Sequence, residues 1–543
     1  MQKVLTAAEM REVDRLTTER YGIPSIILME NAAHAVARVI TDKLGGSVKG
    51  KSILILCGKG NNGGDGAALA RILWTAGADV EVILFGDPKG SKGDARTNFE
   101  ICSELSEQTQ GELAFGYIEE FWEFSQLLTA QVRENFCCIV DAVFGTGLTK
   151  QVDASLFEIF RCFPNRLHIA VDIPSGLYAD KPIAKHLQYT ASVTVTFTAP
   201  KPANVLPHAS NFNGELVIAD IGSPSNLVDA QPSQLFLAER EDASEWLQAA
   251  RFTEDSYKSK RGHALVIAGS EDYSGAAVLA ANAAMRSGVG LVTLACPADA
   301  KAQIASRLLP EVILSTVESK EFDEHLNRAD AVAVGCGLDA NDPAVEKLVR
   351  EVVGNRTTPV IVDASALWFF NPPGENYPVG ETSTPLLRKE GSLESPPLIL
   401  TPHEGEFLRL LGTDNKDAIN DRVAAIREFS QKHNVILVLK GERVLIGEPG
   451  GKVVVNPTGN SGLGKAGNGD TLAGIIAGFV SQAAAMDIDI FETVVAAVYI
   501  AGMAGDIAEK KFGKRVMTAS DVRECLADAF AEFETETSGP AGS

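Results

Sequence analysis

Short apolar, β-rich runs alternate with helix-patterned segments along almost the whole chain, and this alternation restricts the fold more than any other feature. In the first half the runs lie at 52–57, 80–85, 138–143, 168–173 and 192–198. Each is nearly continuous in apolar residues, as strands buried on both faces of a parallel sheet must be. Helical patterns lie between and before them, at 7–21, 26–43 and 66–76. A second series follows at 263–268, 290–295, 331–335, 360–362, 398–400, 435–440 and 452–455. Such alternation predicts a three-layer α/β architecture. The chain has 543 residues, too many for one core at roughly 150 residues per domain, so two large α/β domains are expected. The polar stretch SPSNLVDAQPSQ separates the two series. We expect a first domain at 1–224, a linker at 225–239, a second domain at 240–534 and a flexible tail at 535–543. The segment 371–397, rich in Pro, Gly, Ser and Glu, reads as a surface insertion.

A formal charge of −22 repels phosphate backbones and anionic lipid, so neither nucleic acid nor membrane is an expected partner. Phosphorylated small ligands would need locally positive backbone sites. The eight Cys form no C-x-x-C and no zinc spacing, which predicts reduced thiols in a cytoplasmic protein. The N-terminal residues lack an apolar signal core, and the apolar stretch at 471–486 is broken by Gly, Ser and Gln, so no membrane span is read.

The strand at 52–57 runs into GKGNNGGDG and then a helix. Strand, Gly-rich turn and helix N-terminus make an anion site, because free N–H groups face the ligand. The spacing is not the dinucleotide fingerprint, and Asn61, Asn62 and Asp65 add oxygens that a phosphate loop does not need. The plainer reading is a tight turn with a helix cap at Asp65. Two further strand ends carry polar groups: Asp141 followed by Gly145, Thr146 and Gly147, and Asp172 followed by Ser175. One Asp alone is more often a turn former; three such ends predict one pocket at the carboxyl edge of a parallel sheet.

LMENAA at 28–33, NNGGDG at 61–66, DAVFGTGL at 141–148, VDIPSGL at 171–177 and TFTAPKP at 196–202 resemble the ordered motifs of the NAD(P)HX epimerase family, over about residues 1–222. The resemblance implies a Rossmann-like domain in which Asn62, Asp141 and Ser175 hold potassium. It implies substrate contacts from Asn61, Asn62, Gly63, Gly64 and Asp65, from Gly145, Thr146, Gly147, Leu148, Thr149, Lys150 and Gln151, and from Asp172. Ala33 stands where that family usually has Gly. The implied substrate is reduced nicotinamide dinucleotide hydrated at C6, and epimerisation there needs proton transfer at the C6 oxygen. Asp172 is the expected carboxylate.

In the second half, NPTGNSGLGKAGNGDTLAGIIAGF at 456–479 contains a G-x-x-x-x-G-K, but Ala466 replaces the Ser/Thr of a P-loop, so that reading is rejected. The helix is instead expected to start after Asp470, with free amides around Gly467–Gly469 forming an anion hole. A capped helix after a loop is the plainer alternative. G-x-G-D opening a helix resembles the active-site signature of the ribokinase-like superfamily. Its companions SGAAVLAANAAMRSGVGLVTL, GCGL, VDASAL, LTPHEGEF and VLKGERVLI resemble the NAD(P)HX dehydratase branch, over about residues 240–534. The resemblance implies substrate contacts at Ala276, Gly337, His403 and Asp470, nucleotide contacts at Lys440, Gly441, Glu442, Arg443, Val444 and Gly469, and Asp470 as catalytic base. Ser365 and Val444 depart from the family, where an acidic residue and Thr are common. His403 taken alone reads as a packed or solvated histidine.

The combined resemblance is to bifunctional repair of NADHX and NADPHX: epimerisation of the R and S forms, then dehydration using ADP and Mg²⁺. Fusion of both domains is the bacterial arrangement, which favours ADP over ATP. A homo-oligomer is expected. Two other readings remain open: a vitamin-type small-molecule kinase fused to a non-catalytic module, and a binding module in the first half, which would carry a basic face and a degraded cation site.

Overall fold

The computed structural model describes residues 1–109, 111–128, 135–181, 189–370 and 395–534. It divides into two compact units, Lys3–Ser233 and Gln234–Ser543, with Met1–Gln2 belonging to the second.

The first unit is built on a seven-stranded parallel sheet. Its spatial order is Leu113–Ile118, Asp79–Phe85, Ser52–Cys57, Cys138–Ala142, Leu167–Val171, Val193–Phe197, Glu215–Ala219. Side chains alternate between two cores: Ile53, Ile55 and Cys57 join one cluster, Leu54 and Leu56 the other. That is why the strand reads as unbroken apolar sequence. The chain proceeds outward from Ser52–Cys57 and then restarts beside it at Cys138–Ala142, a topological switch point with a crevice beyond the carboxyl ends.

The helix after the first strand is Asn61–Thr75, so it starts at Asn61 and not at Gly66 as the apolar pattern suggested. Its opening glycines carry no periodicity, yet they are pressed against the sheet. A Cβ on Gly63 would lie 1.8 Å from the Gly58 carbonyl oxygen.

The second unit holds an eleven-stranded sheet. Its parallel part runs Ile313–Thr316, Leu291–Cys296, His263–Ile267, Ala331–Val334, Val360–Val362, Leu398–Leu400, Ile436–Leu439. Antiparallel Leu445–Gly447 and Val453–Val455 extend it, followed by Leu235–Leu237 and Gln2–Lys3 at the edge. Here the switch point lies between His263–Ile267 and Ala331–Val334. Helix Asn468–Met486 packs against helix Ser274–Met285 and the strands beside that point. Helix Ile490–Phe512 is apolar and long enough to cross a membrane by composition alone, but 72 % of its apolar window is buried inside the protein, where it forms core.

The stretch 225–239, expected as a linker, contains helix Ser225–Asp229, whose Leu227 packs on Val13 and Leu16, and strand Leu235–Leu237. These elements are short, and polar composition alone does not distinguish them from free chain. The expected insertion at 371–397, except its last three residues, and the tail at 535–543 lie outside the described residues. All eight cysteines are free, and six of them are buried.

Candidate active sites

At the first switch point the chain encloses a cavity of about 670 Å³, within the range of small-molecule and cofactor sites. Asn61, Asn62, Asp65, Gly145, Thr146, Gly147, Leu148 and Asp172 all line it. Gly63 and Gly64 are buried beneath it, and Thr149, Lys150 and Gln151 are exposed outside the lining. The helix N-terminus at Gly60 has no side-chain cap, so its first amides are free for an anion, with Lys59 and Arg11 on the same wall. Asp65 lies inside the helix and caps nothing.

Asp172 is held in a left-handed backbone conformation, φ 67°, by its N–H donating to Val195 O at 2.8 Å. Strain of this kind collects where a side chain must be aimed. The Asp172 Oδ1 accepts from Lys201 Nζ at 2.7 Å and from Thr196 Oγ1 at 3.0 Å. Lys201 is 1 % exposed. Its ammonium also donates to Thr196 Oγ1 and Phe197 O, which occupies all three N–H bonds. Lys201 therefore anchors the Asp172 carboxyl group, while Oδ2 lies on the Gly145 side of the cavity. The sequence reading quoted TFTAPKP but gave Lys201 no task; a Lys in an otherwise apolar, Pro-bracketed motif was the available signal. Asp14 was missed altogether. It lines the cavity from helix Ala7–Tyr21, and burial pushes its carboxyl up to about 6. Burial, with Asp172 and Asp14 nearby, holds Asp65 well above the usual carboxylate range.

Behind this wall Asp141 is fully buried. Its carboxylate accepts from Ser175 Oγ at 2.5 Å, Ser175 N at 2.8 Å and Val143 N at 3.2 Å. No cationic side chain pairs with it among the described residues, and burial pushes it up to about 6. Asn62 stands on the cavity side of Gly145 with its Nδ2 buried and unpartnered. Asp141 and Ser175 are thus in contact, and the Asn62 Oδ1 lies against Gly145, 3.1 Å from where a Cβ there would stand. A carboxylate without a counter-charge beside hydroxyl and amide oxygens fits a monovalent cation.

In the second unit, helix Asn468–Met486 begins before Asp470, not after it, and Asp470 lies in its first turn. The N-cap is Gly467 at φ 89°, with no side-chain cap; the Asn468 amide donates to Lys465 O at 3.4 Å, which leaves the Gly469 amide facing the loop. The left-handed position is Gly467, and Gly469 needs no special φ. A Cβ on Gly469 would sit 3.4 Å from Lys440 Nζ and 3.8 Å from Asp363 Oδ2. Lys440 donates to Asp363 Oδ1 at 2.6 Å, and Thr401 Oγ1 donates to the same oxygen at 2.7 Å. The Cys336 thiol reaches Asp363 Oδ2 at 3.8 Å and hydrogen-bonds Asp470. Burial, reinforced by the Asp363 charge, raises Asp470 to about 6.

Asp363 is the residue missed here, although it stands at a strand end, the position that flagged Asp141 and Asp172. Ala276 and Gly337 are adjacent: a Cβ on Gly337 would lie 2.8 Å from that of Ala276. His403 caps helix Glu404–Leu410, its Nδ1 accepting from Gly405 N and Glu406 N, and bridges to Lys440 through the backbone. Gly441, Glu442 and Arg443 follow Lys440 in the turn before strand Leu445–Gly447. The Val444 side chain packs on the core. Lys465, the P-loop candidate, donates to Arg515 O and Met517 O, consistent with the rejection of that motif.

Residues 264–527 match a family model described as NAD(P)H-hydrate dehydratase, and residues 25–203 match one described as YjeF-related protein N-terminus. A bifunctional NAD(P)H-hydrate repair enzyme of Moorella thermoacetica is 37 % identical over 98 % of this chain and 97 % of its own length. One of Salinibacter ruber is 32 % identical over 97 % and 96 %. Among solved structures, an ADP/ATP-dependent NAD(P)H-hydrate dehydratase from Bacillus subtilis, co-crystallised with ATP/Mg²⁺, is 28 % identical, covering 55 % of this chain and 98 % of its own, at a TM-score of 0.46. The chain belongs to the family of bifunctional NAD(P)H-hydrate repair enzymes.

Proposed function

We propose that the first unit epimerises NADHX and NADPHX at C6 and that the second dehydrates the S form with ADP as phosphoryl donor. The observation that carries this reading is the pairing of two different carboxylate sites, each at the switch point of its own sheet.

In the first, Asp172 is fixed by Lys201 and presents a carboxylate oxygen to the cavity, where it takes the proton of the C6 oxygen. The free amides beside Gly60 receive the pyrophosphate. Asn62, Asp141 and Ser175, from three successive strand ends, would hold K⁺, which would supply the counter-charge that Asp141 lacks among the described residues. The small charge and mixed neutral oxygens suit it better than Mg²⁺.

In the second, Asp470 removes the C6 hydroxyl proton while that oxygen takes the terminal phosphoryl group of ADP. AMP is released; phosphate then leaves C6 in place of hydroxide while a C5 proton is lost to solvent, which re-forms the C5=C6 double bond of the dihydronicotinamide. The Gly469 amide and the Lys440 ammonium, which lie beside one another, would face the transferring charge. Mg²⁺ would be carried by the nucleotide phosphates and neutralise them. The Cys336–Asp363–Asp470 group is no dedicated cage for it, because one member is a thiol and another is engaged by Lys440.

Incubation with mixed NADHX epimers, following NADH absorbance with ADP and with ATP, tests the reading. Full conversion of both epimers with ADP supports it. Conversion of half the mixture removes the epimerase, accumulation of a stable phosphorylated product supports the small-molecule kinase instead, and faster conversion with ATP overturns the donor assignment.

A further inference from the structure

We propose that Asp14 is a second proton carrier of the first site, acting with Asp172 at the C6 oxygen of hydrated NAD(P)H. This rests on the epimerase reading of that site.

Helix Ala7–Tyr21 turns Val13 and Leu16 into an apolar cluster and places Asp14 on the cavity, in company with Asp172, Asp65 and Lys201. The Asp14 Oδ1 is buried and has no hydrogen-bond partner within the described structure. A buried carboxylate oxygen in that condition is costly unless it carries a proton or meets a ligand donor. Lys201 cannot supply the donor, because its three N–H bonds go to Asp172, Thr196 and Phe197. The two carboxylates are therefore unlike. Asp172 is hydrogen-bonded to a cation and a hydroxyl, whereas Asp14 feels Lys201 only through space and is raised by burial, with the Asp172 charge adding to the rise. Two carboxyl groups with such different partners at one cavity are placed to act as an acid–base pair. They come from separate elements, helix Ala7–Tyr21 and the turn after strand Leu167–Val171.

The reaction balances with water alone. Asp14 gives its proton to the C6 hydroxyl, the C6–O bond breaks and water leaves, and the ring nitrogen lone pair forms a C=N bond to C6. Water then adds to the other face. Its oxygen bonds C6, its proton goes to Asp172, and the electron pair returns to nitrogen. The centre is inverted, and the proton moved from Asp14 to Asp172 re-equilibrates through solvent. The reverse epimerisation uses the same groups with roles exchanged.

The test uses the full chain and chromatographically separated NADHX epimers, without nucleotide. Asp14→Asn should lower kcat for interconversion by about 10²–10⁴, the usual share of a general acid or base, with KM changed by less than roughly threefold on the view that the proton, not binding, is lost. Asp14→Ala should regain part of its rate on addition of formate, whereas the unmodified chain should not respond. A wild-type kcat in Asp14→Asn overturns the proposal. So does a loss confined to Asp65→Asn, which moves the proton to that neighbour, and so does an inactive Asp14→Ala that formate leaves unchanged, which makes the role structural. If the unmodified chain does not interconvert the epimers, the epimerase reading fails first and takes this proposal with it.

Discussion

Lys201 commits its whole ammonium inside the protein, so its effect on chemistry passes through Asp172. Lys201→Met should leave that buried carboxylate without its counter-charge. We expect the first unit to lose about 3–5 kcal/mol of stability, the usual result of breaking one side of a buried pair, and epimerisation to fall with it, checked by denaturant unfolding beside the epimer assay. Asp470 behaves differently. It must be ionised to act as base, and burial raises it to about 6. Nucleotide-dependent NADH recovery should therefore climb as pH rises through about 6 and level off above. A rate independent of pH between about 5 and 7 contradicts this assignment. At this scale the sequence was most legible where a carboxylate ends a strand, as at Asp141 and Asp172, although Asp363 at a like position was missed. It was least legible for Asp14, which sits mid-helix among ordinary surface residues and acquires meaning only through what the fold packs against it.

At the scale of elements, the opening turn of helix Asn468–Met486 makes a separable prediction. Asp470→Asn keeps shape and removes the base, so nucleotide should bind while turnover falls by about 10²–10⁴. Gly469→Val places a side chain beside Lys440 and Asp363, so nucleotide affinity and turnover should fall together. Calorimetry with rates on both variants checks the split. Loss of binding in Asp470→Asn, or full binding and rate in a folded Gly469→Val, contradicts it. The elements themselves were readable in proportion to their burial. Central strands such as Ser52–Cys57 and Val360–Val362 read as apolar runs because both faces are covered. Edge strands Leu113–Ile118 and Ile313–Thr316 are half exposed, break the run and escaped notice. Helix starts were misplaced at Asn61 and Asn468 for a related reason: glycines that let backbone approach backbone carry no hydrophobic period.

At the scale of the molecule, each unit carries its own sheet, its own core and its own carboxylate site. Fold class and the pairing of two sites were legible because the two motif sets are distinct. The boundary was not, since the short helix and strand at 225–239 have the composition of a linker. Potassium should act on one unit alone: exchanging it for lithium should slow epimerisation and leave ADP-dependent dehydration of the S epimer unchanged, measured in the same chain. The most direct test of the division of labour is a reciprocal pair of variants, Asp172→Asn and Asp470→Asn, each given separated R and S epimers with ADP while epimer ratio and NADH are both followed. The account predicts that Asp172→Asn recovers NADH from the S epimer and not from the R epimer, while Asp470→Asn interconverts the two and recovers no NADH. Loss of both activities in either variant, with both units folded, would contradict it.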